Sequence, residues 1–294
     1  MHWKGIALAL LTVILGGLAK IPVEQKQTQS LREQKILEVP LQLSLRDEVG
    51  QSFFIATLGG FRSLVATMIE LEAMTAWQQN NYGVVDARYA VCNKLQPREP
   101  RYWETRAWHA GTNATSAYEL SGELSPAMLS LRLQRQVEKA ISILREAVQY
   151  IDNDWNLWMR LADYSSNPRV NENPDYRGAA YYWEKCAASY DAPRYTHRRA
   201  ALMIAHIPGR EQEAWDKLLA LWNAPNDVHR EPVIATELAL LLPKIKIINP
   251  TADLPPEIAA QADKLLEKRA RSERLLRQRV PIIDTMRLPH PSGR

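Results

Sequence analysis

Cysteine is nearly absent from this chain: there are two in 294 residues, Cys92 and Cys186. Two thiols cannot build a disulfide framework or a thiolate metal site. Neither lies near the apolar N-terminal run, so a lipid-anchored lipoprotein is not supported. Glycine is scarce too, at 12 residues, and alternating β-branched runs are few, which argues for helix over strand. The chain has no phosphate-binding glycine loop, no paired-histidine helix motif and no Gly-x-Ser-x-Gly elbow, so the common signatures of nucleotide, zinc-hydrolase and serine-hydrolase chemistry are missing. Its six histidines, His2, His109, His197, His206, His229 and His290, are too scattered to share a metal. Neither sign of charge forms a long block. With 37 basic and 33 acidic residues the formal charge is +4, which suits a solvated surface better than a nucleic-acid partner. No cofactor, metal or small-molecule substrate is implied.

What the chain does contain begins with an uncharged run, Gly5 to Ala19, preceded by Trp3 and Lys4 and closed by Lys20, Ile21 and Pro22. Fifteen helical residues reach about 22 Å, short of the roughly 30 Å hydrocarbon core, but Lys4 and Lys20 can snorkel and Trp3 suits the interface. The basic start and the small-x-small triplet Gly17-Leu18-Ala19 also fit a cleaved signal peptide. Both readings place the remainder outside the cytoplasm: on the periplasmic side of an inner membrane if the segment is retained, soluble in the periplasm if it is cleaved. The bracketing Lys4, Trp3 and Lys20 favour retention. Residues 1–20 are thus expected to be a membrane anchor or signal peptide, and the polar 21–58 a tether ending near Gly59-Gly60.

From there the pattern is that of helical hairpins. The first pairs Arg62 to Asn80 with Tyr82 to Leu95 across a two-asparagine turn, and its returning helix carries Val85, Tyr89 and Cys92. The second opens at Arg101 and returns through Ala140, Leu144 and Ala147. The third opens after Asp152-Asn153-Asp154 and returns through Ala179, Trp183 and Cys186. The fourth begins at Arg194 and returns through Ala214, Leu218 and Leu221. Steps of four and then three put each triplet on one helical face. An alanine recurs where each leading helix must approach its partner: Ala73, Ala107, Ala162 and Ala200 or Ala201. The octapeptide from Pro100 to Ala107 returns from Pro193 to Ala200 with five identities.

Over residues 59–227 these features resemble the tetratricopeptide family: Val85, Tyr89, Cys92 and Pro97, then Trp103 and Ala107 in matching register. The resemblance implies an all-α, right-handed solenoid of helix pairs. The Gly59-Gly60-Phe61-Arg62 and Ala107-Trp108-His109 segments, with Asn113, also look like bacterial membrane-tethered proteins of this type. The anchors Tyr89, Leu144, Trp183 and Leu218 stand 55, 39 and 35 residues apart, against about 34 for the regular repeat. The excess falls at 113–133, an insertion that either projects as a contact loop or simply lengthens a helix pair. Residues 228–281 are expected to supply further helices, an apolar one from Val233 to Leu242 ended by Pro243 and a capping helix from Glu257 to Arg279, and 282–294 to form a flexible tail.

Cys92 and Cys186 share one repeat position and read as core thiols. His109 and Glu104, five apart on a helix, point to different sides, which disfavours an acid–base pair and gives His109 a surface role. Exported helical arrays also occur in peptidoglycan lytic enzymes, but those need a lysozyme-like catalytic domain, and the segment after the repeats is too short for one. An enzyme is therefore not expected. Of the nine tryptophans, Trp103, Trp158 and Trp183 occupy packing positions. Trp77 and Trp108 do not. The family geometry would put Met74, Trp77 and Gln78, then Glu104, Trp108 and Thr112, then Asp163 along a concave groove that captures a protein partner. The alternative is that both tryptophans pack against the chain ahead of the first repeat. Two functions compete: a tethered scaffold that recruits a protein, and a permanent subunit of a membrane complex.

Overall fold

The computed structural model describes residues 60–167, 171, 174–225 and 231–279, with five further positions between 26 and 33. The expected membrane segment, most of the expected tether and the 282–294 tail lie outside the described residues. Among the described residues the protein is all-α. The elements are α1 (Arg62–Gln78), α2 (Tyr82–Leu95), α3 (Pro100–Trp108), a π-helical segment (His109–Ala114), α4 (Thr115–Ser121) and α5 (Pro126–Tyr150). They continue with α6 (Trp155–Ser166), α7 (Tyr176–Ala188), α8 (Tyr195–Ala205), α9 (Glu211–Trp222), α10 (Pro232–Ile248), α11 (Pro256–Ala259) and α12 (Ala262–Arg279). None of these helices is long and apolar enough to cross a membrane.

The helix boundaries follow from local chemistry. The turn after α1 works because Asn80 takes a left-handed conformation (φ 55°), which asparagine tolerates better than most residues. Asn81 then caps α2, its side chain accepting the Val84 N–H at 3.3 Å. Pro100 opens α3 at a position where no donor is lost, and the Glu99 carboxylate accepts the Arg101 N–H. Asp154 caps α6 by accepting from Asn156 and Leu157. Asp175 caps α7 by accepting from Gly178 at 2.8 Å. A Cβ on Gly178 would meet Asp175 Oδ2 at 2.2 Å, so the glycine leaves room for the capping carboxylate.

Two compact units result. The first comprises residues up to Leu124 together with 149–151. In its described part, Val65, Ala66, Ile69, Ala73 and Ala76 of α1 bury against Val85, Tyr89, Cys92 and Leu95 of α2, with Tyr102 of α3 closing the cluster. The second comprises 125–148 and 152 onward. There α6 packs on α7, α7 on α8, α8 on α9, α9 on α10, and α10 on α12. Each helix buries its face against its chain neighbours, which is the packing logic of a helical repeat.

Two bonding patterns recur. The indole N–H of Trp103 donates to the Pro97 carbonyl at 3.0 Å, and that of Trp158 to the Asp152 carbonyl at 2.8 Å, each six residues back. The Cys92 thiol donates to the Ala66 carbonyl at 3.4 Å and the Cys186 thiol to the Trp155 carbonyl at 3.2 Å. Both cysteines are buried and unpaired with each other, as core thiols should be. Ala73, Ala107 and Ala162 are buried, as are both Ala200 and Ala201.

Several boundaries differ from the sequence expectations. α1 ends at Gln78, two residues early, because Asn80 leaves helical geometry. α10 does not stop at Pro243 but runs to Ile248. Interior proline costs a helix about 3 kcal/mol. Here Pro243 faces solvent while Leu241 and Ile245 stay buried, so the core contact carries the helix through. The C-terminal helix is broken at Ala260-Gln261 into α11 and α12. In the fourth hairpin Leu221 is only half-buried, and Trp222 takes the core position.

Replacing Trp158 or Trp103 by phenylalanine removes an indole donor and strands a carbonyl that the indole covers. Each variant should lose about 1–3 kcal/mol, read as a lowered urea midpoint at constant slope. An unchanged midpoint in both would show that the indole bonds contribute nothing.

Candidate functional site

α3 does not end at Trp108 but widens into the π-helical segment, an element rare in proteins and frequent at functional sites. The wider turn keeps His109, Ala110, Gly111 and Ala114 buried together. Thr115 closes it, its hydroxyl donating to the carbonyls of Gly111 (3.1 Å) and Thr112 (2.7 Å). His109 therefore does not sit on the surface as expected from its spacing to Glu104. It is 7% exposed, and its ring lies among Trp108 (centroids 5.2 Å apart), Tyr89 (5.6 Å) and Trp77 (5.8 Å). The Asn113 amide lies 3.0 Å from Nδ1. With the amide donating, Nδ1 accepts and the ring proton rests on Nε2. Burial lowers the pKa of His109 below its ordinary value of 6.5 and keeps the ring neutral.

This buried ring supports two exposed ones. Trp77 is 39% exposed and Trp108 44%, far above the buried Trp103, Trp158 and Trp183. Met74, one turn before Trp77, is also exposed. Gln78 and Thr112 are exposed and Glu104 is half-buried. Six of the expected groove residues thus belong to the first unit, and the structure joins Trp77 and Trp108 through their shared contact with His109. The helical step alone misplaced His109. Its repeat position held the missing signal: two residues after Ala107, it matches Tyr164, two after Ala162, which is also buried.

Asp163 belongs to the second unit. It pairs with Arg199 at 2.9 Å and lines a cleft of about 440 Å³ with Ser166, Tyr176, Arg199, His206 and Arg269. The Arg199 guanidinium lies over the Trp183 ring at 5.0 Å. Tyr176 stacks on His206 at 4.7 Å, and burial lowers the His206 pKa. Arg269 reaches the buried Glu237 at 3.1 Å and Glu273 at 2.9 Å, so the charges around this cleft largely compensate one another.

The thiols offer little reactivity: burial pushes both Cys92 and Cys186 up to about 12, so each stays protonated near neutral pH. Among the described residues no group of three or more His, Cys, Asp or Glu side chains is placed to hold a metal ion. What the first unit presents is an exposed apolar surface, two indole rings and a thioether, beside the buried His109 ring. No protein-family model matches this chain, and no curated protein does.

The buried histidines give stability a defined pH dependence. A folded-state pKa below the unfolded value means that the unfolded chain binds the proton first as pH falls. The stabilisation present above about pH 6.5 is then lost on acidification through the folded pKa. The melting temperature should fall between pH 7 and 5, and His109→Gln should flatten part of that decline, the remainder belonging to His206. An identical pH slope in parent and variant would contradict the burial of a neutral ring at 109.

Proposed function

We propose that this protein is a non-enzymatic, membrane-tethered scaffold that recruits a protein partner through a helical-repeat surface. Within that reading the hairpins form a tetratricopeptide-like right-handed solenoid of bacterial type, and residues 1–20 hold it on the outer side of the membrane. The observation that carries the proposal is the pair of exposed tryptophans fastened to a buried histidine. Solvent-facing indoles are costly to leave uncovered, and rigid aromatic anchors ringed by polar groups are the residues on which binding energy concentrates. Gln78, Glu104 and Thr112 supply such a polar surround.

Crosslinking and affinity purification from the native membrane should return a protein partner. Against that partner Trp77→Ala and Trp108→Ala should each weaken binding by about 1–3 kcal/mol, with a much smaller change in the melting temperature. Loss of fold and loss of binding in equal measure would make the two rings structural, and unchanged binding in both variants would remove this surface from the function. A permanent subunit would behave differently, failing to accumulate when its neighbours are deleted, because obligate interfaces are large and apolar.

Export has its own test. A C-terminal reporter that matures only in the periplasm should be active, and a reporter that works only in the cytoplasm should be silent. The opposite result would place the repeats in the cytoplasm and end the tether proposal.

A further inference from the structure

Trp103 stands four residues before the repeat alanine Ala107, and Trp158 four before Ala162. Both indoles are buried. In the fourth hairpin the register falls on Ala201. Tyr195, six residues before it, donates to the Met159 sulfur three before Ala162 (3.3 Å), just as Arg101, six before Ala107, pairs with Glu70, three before Ala73. The residue five before the alanine is then buried in each case, as Tyr102, Leu157 and Thr196. The position four before Ala201 is His197, which is exposed. The fourth leading helix therefore lacks the indole of the two before it.

The third hairpin shows what that indole does. Trp158 stacks on Tyr182 (6.1 Å) and meets Tyr181 edge-on (6.4 Å), while the Tyr182 hydroxyl accepts from Arg145 Nε at 3.1 Å. Arg145 follows Leu144, the central anchor of α5, and Tyr182 precedes Trp183, that of α7. The same two positions in the next pair of returning helices are Glu184, after Trp183, and Lys217, before Leu218, and they too are joined, at 2.9 Å. Beside this second bridge, wholly within the second unit, lies a groove of about 430 Å³ lined by Glu184, Ala187, His197, Ala200, Lys217 and Ala220. That volume is in the range of sites that hold a ligand. The space exists because side chains shrink from one repeat to the next: His197 replaces Trp158, Ala200 replaces Leu161 and Ala187 replaces Val148, whereas Leu221, in place of Cys186, is larger.

We propose that this groove receives an aromatic side chain of a protein partner, which takes the place that Trp158 fills in the third hairpin. The alanines form apolar walls against which a planar ring can lie, and a buried ring carries a large apolar area. Lys217 occupies the position from which Tyr182 stacks on Trp158, so its ammonium can cover the incoming ring as a cation over a π face. The Glu184 carboxylate supplies an acceptor for an indole N–H. An aliphatic side chain would use the walls and neither of these groups. The groove shares no residue with the Trp77–Trp108 patch, and the inference stands whether or not that patch recruits a partner.

The test titrates the full chain, labelled with carbon-13 at its alanine methyls, with N-acetyl-L-tryptophanamide. The methyls of Ala187, Ala188, Ala200 and Ala220 should shift together and saturably through the ring current. N-acetyl-L-leucinamide should bind at least about threefold more weakly. No saturable shift, shifts confined to other alanines, or equal binding of the leucine compound would overturn the inference. His197→Trp returns an indole to the groove, so its urea midpoint should be no lower than the parent's and probe binding should fall at least about tenfold. A lower midpoint or retained binding would overturn it. A second variant, Ala187→Leu, narrows the groove from α7 and should weaken the probe with an unchanged circular dichroism spectrum, and undiminished binding there would also count against the proposal. Free tryptophan binding about tenfold tighter than the amide would assign the groove to a small molecule, and a dimer in sedimentation that His197→Trp abolishes would assign it to a second copy. Either result overturns the partner.

Discussion

The structure depends on the close approach of a leading helix to its returning partner at an alanine. With Ala73 of α1 and Ala162 of α6 buried, each of these helices lies near enough to its returning partner for a thiol on one to reach a carbonyl on the other, as Cys92 reaches Ala66 and Cys186 reaches Trp155. A larger side chain at such a point would force the pair apart, at a typical cost of 1–3 kcal/mol. Tight pairing places Tyr89 and Trp183 deep inside their hairpins. It also excludes water from both thiols, and their raised pKa values follow from that exclusion.

Indole side chains play two distinct parts here. Trp103 and Trp158 are buried with their single donor satisfied by the carbonyl six residues back, so each locks the loop before its helix to the helix itself. Trp77 and Trp108 spend their contact area on His109 and keep much of the rest in solvent. Burial matters to that support: a charged imidazolium would demand solvation, whereas the neutral ring accepts the Asn113 amide and remains enclosed. The π-helical widening after Trp108 is what admits the histidine. Local backbone irregularity and the exposed aromatic pair are therefore one feature.

Electrostatics are organised as local pairs. Arg106 meets Asp86 at 2.8 Å, Lys217 meets Glu184 at 2.9 Å, and Arg198 bonds to Glu231. Most of these are partly exposed and modest in effect. The Glu237–Arg269 pair is different because its carboxylate is buried, so the guanidinium of α12 neutralises a charge that α10 could not hold alone. The C-terminal helix is thus tied on by charge as well as by the half-buried Leu265 and Leu266.

The sequence by itself determined that the described part of the chain is helical and where most of its helices begin. Those properties are local: the 3.6-residue period of apolar positions, the asparagine turn before α2, the Asp154 cap of α6, and the small residue at each repeat position all act within one or two turns. It also marked Trp77 and Trp108 as tryptophans outside the packing positions. Only the tertiary structure decided that the two rings share a neighbour, that His109 is that neighbour, and that α10 runs on through Pro243. Each of these is settled between elements far apart in the chain. Tyr89, Trp77 and His109 meet through the packing of three helices, and the burial of Ile245 outweighs the missing donor at Pro243. A helical period records which residues face inward, but not which residue of another helix waits there. His109, read from its own helix alone, belongs on the surface, whereas the rings that enclose it come from α1, α2 and the end of α3 together.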